Sequence, residues 1–103
     1  MIIILCTLPN NEKLALKLIH TLLNLKLAAC VNLISNIRSY YYWNDQLQTS
    51  NELQLLIKTQ DSLQEKIFNT IKKTHPYTIP ELLVIPITFG EIQYLNWITK
   101  VLS

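Results

Sequence analysis

Four side chains in the sequence suit soft-metal or nucleophilic chemistry: the thiols of Cys6 and Cys30 and the imidazoles of His20 and His75. Thiolate and imidazole are good donors for copper or zinc, and copper takes most such sites by intrinsic affinity. None of the four shows the close paired spacing of a zinc finger or a redox-active dithiol. A Cys6–His75 pair could make a reactive thiolate, yet no third group stands in a recognisable orienting position. Gly90 is the only glycine, so there is no phosphate-cradling loop, and no Ser/His/Asp order matches a nucleophilic signature. An enzyme is not expected.

Each of the four also has a plain structural reading. Cysteine is among the most buried residue types, and Cys6 closes an apolar run in which it can simply fill space. Cys30 lacks a His or Cys partner in sequence and reads as structural. His75 stands between a helix end and Pro76, where its ring can bond a free carbonyl or favour the negative end of the helix dipole. His20 falls on the polar side of a helix. Two lone cysteines imply reduced thiols in a cytosol-like compartment.

The elements that must position these groups follow from the hydrophobic pattern. Ile2-Ile3-Ile4-Leu5-Cys6 is a continuous β-branched run, as expected of a central strand buried on both faces. It is too short for a signal peptide or a membrane span. Pro9 ends it, and Asn10 or Asn11 can cap a helix that runs to Leu25 or Lys26 with Leu14, Ala15, Leu18, Ile19, Leu22 and Leu23 on one stripe. Ala28 to Ile34 is a second strand, interrupted at Ser35-Asn36 by a bulge or bend. A long hairpin from Ile37 to Lys58 turns at Asn44-Asp45, two residues that tolerate positive φ.

Ser62-Leu63-Gln64-Glu65 has the form of a capping box, opening a helix that buries Leu63, Ile67, Phe68 and Ile71. The prolines of His75-Pro76-Tyr77-Thr78-Ile79-Pro80-Glu81 keep that stretch out of regular helix. A fourth strand covers Leu82 to Ile85, with Pro86 marking an edge, and a last helix runs from Tyr94 to Leu102. The order β-α-β-β-α-β plus one helix predicts an α+β, ferredoxin-like sandwich: an antiparallel sheet with helices on one face. One domain over residues 1–103 is expected.

Tyr40, Tyr41, Tyr42 and Trp43 stand in an unbroken row on the first hairpin arm, so alternate rings point to opposite faces. A chain this short normally lays one helical layer over its sheet, leaving one set of rings without cover. Half the residues are hydrophobic and only 16% are charged, more apolar material than a small monomer can hide. These four aromatics are therefore expected at an interface with other copies. Exposed tyrosine and tryptophan can also stack on a small ligand. The net charge of +2 is spread along the chain, which argues against nucleic acid as the main partner.

Taken together, Leu27-Ala28-Ala29-Cys30-Val31-Asn32, Tyr41-Tyr42-Trp43, Glu52, Lys58-Thr59 and His75-Pro76-Tyr77-x-x-Pro80-Glu81 resemble the CutA divalent-cation tolerance proteins. The likeness runs from Cys6-Thr7-x-Pro9 to Tyr94-Leu95-x-Trp97. It implies a fold related to PII-like regulators, a homotrimer, and a role in tolerance of copper and other divalent cations. The spread charge, lone cysteines and short apolar run predict a cytoplasmic protein with neither nucleic-acid nor membrane partners. Carried over by position, a metal site would use Cys6, His75 and Glu81, with copper or another divalent cation as its ion. Some members have a second histidine where this chain has Thr74, and the family's glycines near Ser35-Asn36 and in the hairpin turn are absent here. The alternative is a PII-like sensor that holds a small effector in a subunit cleft near Tyr77.

Overall fold

The computed structural model describes residues 1–103. Strand β1 (Ile2–Pro9) leads into helix α1 (Glu12–Asn24), and β2 (Cys30–Trp43) and β3 (Gln46–Thr59) form the long hairpin. Helix α2 (Gln64–Thr74), strand β4 (Leu82–Pro86) and helix α3 (Ile92–Leu102) complete the chain. The four strands make one antiparallel sheet in the order β2-β3-β1-β4, the expected ferredoxin-like arrangement. Pro86 lies on the edge strand, where its missing N–H costs no ladder bond.

The core fills one side of this sheet. Ile4, Cys6, Leu55 and Ile57 are fully buried there beneath Ala15, Leu18 and Leu22 of α1 and Ile67 and Ile71 of α2. Burying each large aliphatic side chain contributes about 1.5–3 kcal/mol. Helix α1 starts where Asn11 accepts a hydrogen bond from the Leu14 N–H at 3.1 Å. Thr59, buried at the end of β3, donates to the Leu27 carbonyl at 2.6 Å and ties α1's exit to the sheet.

Three local expectations need correction. The Ser62 capping box does not form: a 3₁₀ turn over Asp61–Leu63 leads into α2, no side chain caps it, and the Leu63 N–H bonds the Gln60 carbonyl instead. The turn bonds the Leu63 and Gln64 N–H groups to the Gln60 and Asp61 carbonyls, so the chain enters α2 through backbone bonds alone. Strand β1 is also not buried on both faces, since Ile3 and Leu5 are only half-buried on the side away from α1 and α2. Finally, helices do not keep to one face. Lys58, paired with Ile3 and Cys30 on that second side, reaches to 5.7 Å from the Tyr94 ring of α3. Ile98 of α3 is buried outside the main core, so α3 forms a small second layer.

The hairpin is regular to its tip. The register slips between Ile34 and Ile37, where Asn36 takes φ 61°, and the turn is made by Asn44 and Asp45 at φ 52° and 61°. Both central turn residues in the left-handed region match the twist of the strands they join. An arm of 14 residues at about 3.3 Å per residue spans roughly 45 Å, close to the molecule's longest dimension of 46 Å.

Candidate functional site

The end of β1, the 75–81 loop and the hairpin enclose a groove of about 760 Å³. The groove exists because alternation sends Thr7 and Glu52 to the less covered face, while Cys6 and Leu53 go to the core. Ile71 ends α2 by accepting the His75 N–H at 2.9 Å, and Pro76 then holds the chain extended over that face. Thr7, Ser39, Tyr41, Trp43, Glu52 and Tyr77 are among the residues that line the space.

Three hydrogen bonds fasten the loop across the groove. The His75 ring bonds the Thr7 carbonyl through Nε2 at 2.7 Å, while Nδ1 accepts the Tyr77 N–H at 3.1 Å. An accepting Nδ1 fixes the neutral tautomer with the proton on Nε2, which then donates to the carbonyl. The Tyr77 hydroxyl donates to Glu52 Oε2 at 2.8 Å, and the Thr7 hydroxyl donates to Glu81 Oε2 at 2.7 Å. Burial, with the Glu52 carboxylate beside it, pushes the Tyr77 phenol well above its ordinary range. Tyr77 therefore stays a donor to Glu52.

The residues expected to bind metal meet only in part. His75 and Glu81 both attach to Thr7, one to its carbonyl and one to its hydroxyl. Cys6 is their chain neighbour, yet its thiol is completely buried on the core side. Burial first, and the Glu81 charge second, push that thiol up to about 12, so it is protonated at neutral pH. Both His75 ring nitrogens are engaged, and no three His, Cys, Asp or Glu side chains converge as a metal cluster. Cys30 is half-buried and His20 is exposed on α1.

The hairpin aromatics stand as the alternation requires, without cover on either side. Tyr40 and Tyr42 are 62% and 73% exposed on one face, and Tyr41 and Trp43 are 42% and 51% exposed on the other. Tyr41 alone bonds across the ribbon, to Ser50 at 3.0 Å.

Two residues of this groove carry no signal in the strand pattern. Glu52 sits in alternation with Gln54, Leu56 and Lys58, and Thr7 follows an apolar run. Both become buried because a loop some 25 to 70 residues distant in sequence lands on them. The aromatic–proline composition of that loop is the local hint, and both residues also stand in the motifs that carry the family resemblance.

A family model for the CutA1 divalent ion tolerance protein matches residues 2–101. The chain belongs to that family. A divalent-cation tolerance protein CutA from Pectobacterium atrosepticum is 43% identical over 97 residues, covering 94% of this chain and 87% of its own length. An Escherichia coli CutA is 42% identical over the same length, covering 94% and 86%. Among solved structures, CutA1 from Oryza sativa superposes with a TM-score of 0.92 at 37% identity, covering 97% of this chain and 91% of its own. A CutA from Archaeoglobus fulgidus, described as a periplasmic divalent cation tolerance protein, reaches 0.94 at 31% identity with complete coverage of both chains. No helix of the CutA1-family chain is long and apolar enough to cross a membrane.

Proposed function

We propose that this chain acts in the cytoplasm as a homotrimer that helps a cell tolerate copper and other divalent cations, by binding and assembly and without catalysis. The observation that carries this reading is the bare aromatic arm. Four large rings, 42–73% exposed on the two faces of one ribbon, offer a sister chain a large share of the roughly 150–250 Å² that each such side chain buries when fully covered. Burial of that size favours association strongly, and the family resemblance supplies the number three. The unit that assembles is a single domain over residues 1–103.

His75 and Glu81 carry the metal-responsive corner in this reading. Cys6, buried and protonated on the core side, joins it by turning its thiol out of the core and giving up its proton. A cation gains His75 only by displacing one of the two hydrogen bonds on its ring, so metal binding is coupled to release of the 75–81 loop. Calorimetric titration with copper on the wild type, Cys6→Ser and His75→Ala tests this directly. Heats that fall in both variants are expected; equal, weak heats for all three proteins remove the metal site.

The groove beside Tyr77 favours a second reading, a sensor of the PII-like kind that holds a small effector. Its volume lies within the roughly 300–1,000 Å³ typical of small-molecule sites. A ligand of the native state raises the melting temperature. A thermal-shift screen with nucleotides and metabolites is expected to give a saturable rise, and a flat response across the screen counts against the sensor.

A further inference from the structure

The long ribbon changes character at one point. On β2, Ser35 and Asn36 stand opposite the single residue Leu53, since Ile34 pairs with Gln54 and Ile37 with Glu52. Such a bulge bends its strand and sharpens the local twist. On β3, Glu52 is the last buried residue toward the tip, and Gln46 to Asn51 are all at least partly exposed. Pairing with β1 ends at the same place, where Glu52 meets Pro9. Beyond it the chain is a two-stranded arm with no third strand, and two strands alone hold their shape poorly. A change of bend at the bulge would swing the whole aromatic tip.

One strap crosses this point. The 75–81 loop is tied to β1 at both ends, by the His75 ring to the Thr7 carbonyl and by Glu81 to the Thr7 hydroxyl. Between these ties the Tyr77 hydroxyl donates to Glu52 at 2.8 Å. The other side-chain hydrogen bonds of the arm, Tyr41 to Ser50 and Arg38 to Tyr40, stay within the ribbon. Glu52 is only 6% exposed, and a bond to a charged acceptor in so dry a place is among the stronger kinds. Burial first, and the Glu52 carboxylate second, raise the Tyr77 phenol, so the donor keeps its proton at neutral pH. Every one of these bonds lies within one chain, and sister chains can cover the rings of Tyr41 and Trp43 without breaking any of them. We propose that Tyr77, acting through Glu52, is a positioning residue that fixes the angle at which the ribbon leaves the sheet and so presents the aromatic tip to sister chains in one orientation. An arm already held at its bound angle loses less freedom on assembly, and the assembly is tighter by that difference.

This inference rests on the reading that the ribbon assembles with sister chains, and its test separates the two. Tyr77→Phe keeps the ring and removes only the hydroxyl, whereas Glu52→Gln keeps an acceptor and removes its charge. Normal and heavy-isotope batches of each protein, wild type included, are mixed at a temperature where wild-type subunit exchange is measurable. Mixed assemblies are counted with time by native mass spectrometry, and amide hydrogen exchange is followed over the ribbon and over β1. Subunit exchange is expected to quicken about tenfold or more in Tyr77→Phe, the size of one lost charge-assisted bond. Amides of residues 37–51 should lose protection in that variant while those of Ile4 and Cys6 keep theirs. Unchanged subunit exchange in Tyr77→Phe would overturn the inference and leave the assembly reading standing. Equal loss of protection in β1 would make Tyr77 a general stabiliser and overturn it as well. Glu52→Gln is expected to quicken exchange several-fold and decides alone if Tyr77→Phe does not fold, unchanged exchange there overturning the proposal. A wild type that weighs 12.0 kDa throughout has no subunits to exchange and would take down the assembly reading and this inference together.

Discussion

Ile57 and Tyr42 belong to the same two-stranded ribbon, yet Ile57 has no exposed surface and Tyr42 keeps 73% of its own. The difference is one of reach. Two helices of 13 and 11 residues span roughly 20 Å and 17 Å at about 1.5 Å per residue, while each hairpin arm spans more than twice that. The helices cover the base of the ribbon and cannot cover its tip. Stability at the base is thus an intramolecular property, whereas order and burial at the tip depend on other copies.

The sharpest way to test that division is to damage the base. Ile57→Ala removes a fully buried core side chain of β3 and is expected to cost about 2–5 kcal/mol in urea unfolding. The loss should be the same at every protein concentration; a concentration-dependent loss would mean that the base, too, draws on its neighbours.

Next in size is a pH effect confined to the base. The Cys6 thiol is raised from its ordinary 9.0 to about 12 in the fold. Between those values the unfolded chain has lost the proton and the native chain has kept it. The contribution is fully present below pH 9 and is lost as pH rises toward 12, at up to about 1.4 kcal/mol per pH unit. Unfolding midpoints followed from pH 8 to 11 should fall, and Cys6→Ala should flatten the slope. In the native protein Cys6 should resist a thiol reagent at pH 8 while the half-buried Cys30 reacts; equal rates would contradict the burial.

Damage to the tip should look different. Tyr42→Ser removes a ring with little cover in the single chain and is expected to change unfolding of the dissociated chain by no more than about 0.5 kcal/mol. The same change should lower the melting temperature of the assembled protein at a given concentration by weakening association. A large loss in the dissociated chain would show that the tip stabilises itself.

What could be read in advance follows the same local-versus-distant line. The Asn11 cap, the irregularity at Ser35-Asn36 and the Asn44-Asp45 turn were legible because each is decided by a few adjacent residues. The strand order was legible because the apolar periods switch cleanly between two and 3.6 along the chain. The Ser62 capping box misled, since the same four residues also suit a 3₁₀ entry. Placement of α3 on the second face and burial of Glu52 beneath Tyr77 depend on contacts between distant segments, which periodicity does not encode. The thiol of Cys6 illustrates the mixture. Its burial was one of two open readings, and strand alternation turns it to the core while Thr7 faces the groove.

Light scattering on the purified protein across the micromolar range bears most directly on the claim that the aromatic ribbon requires sister chains. The account predicts a constant mass near 36 kDa, three times the 12.0 kDa chain, with the emission of Trp43 shifted to the blue. A stable, well-folded species of 12.0 kDa at every concentration would contradict it.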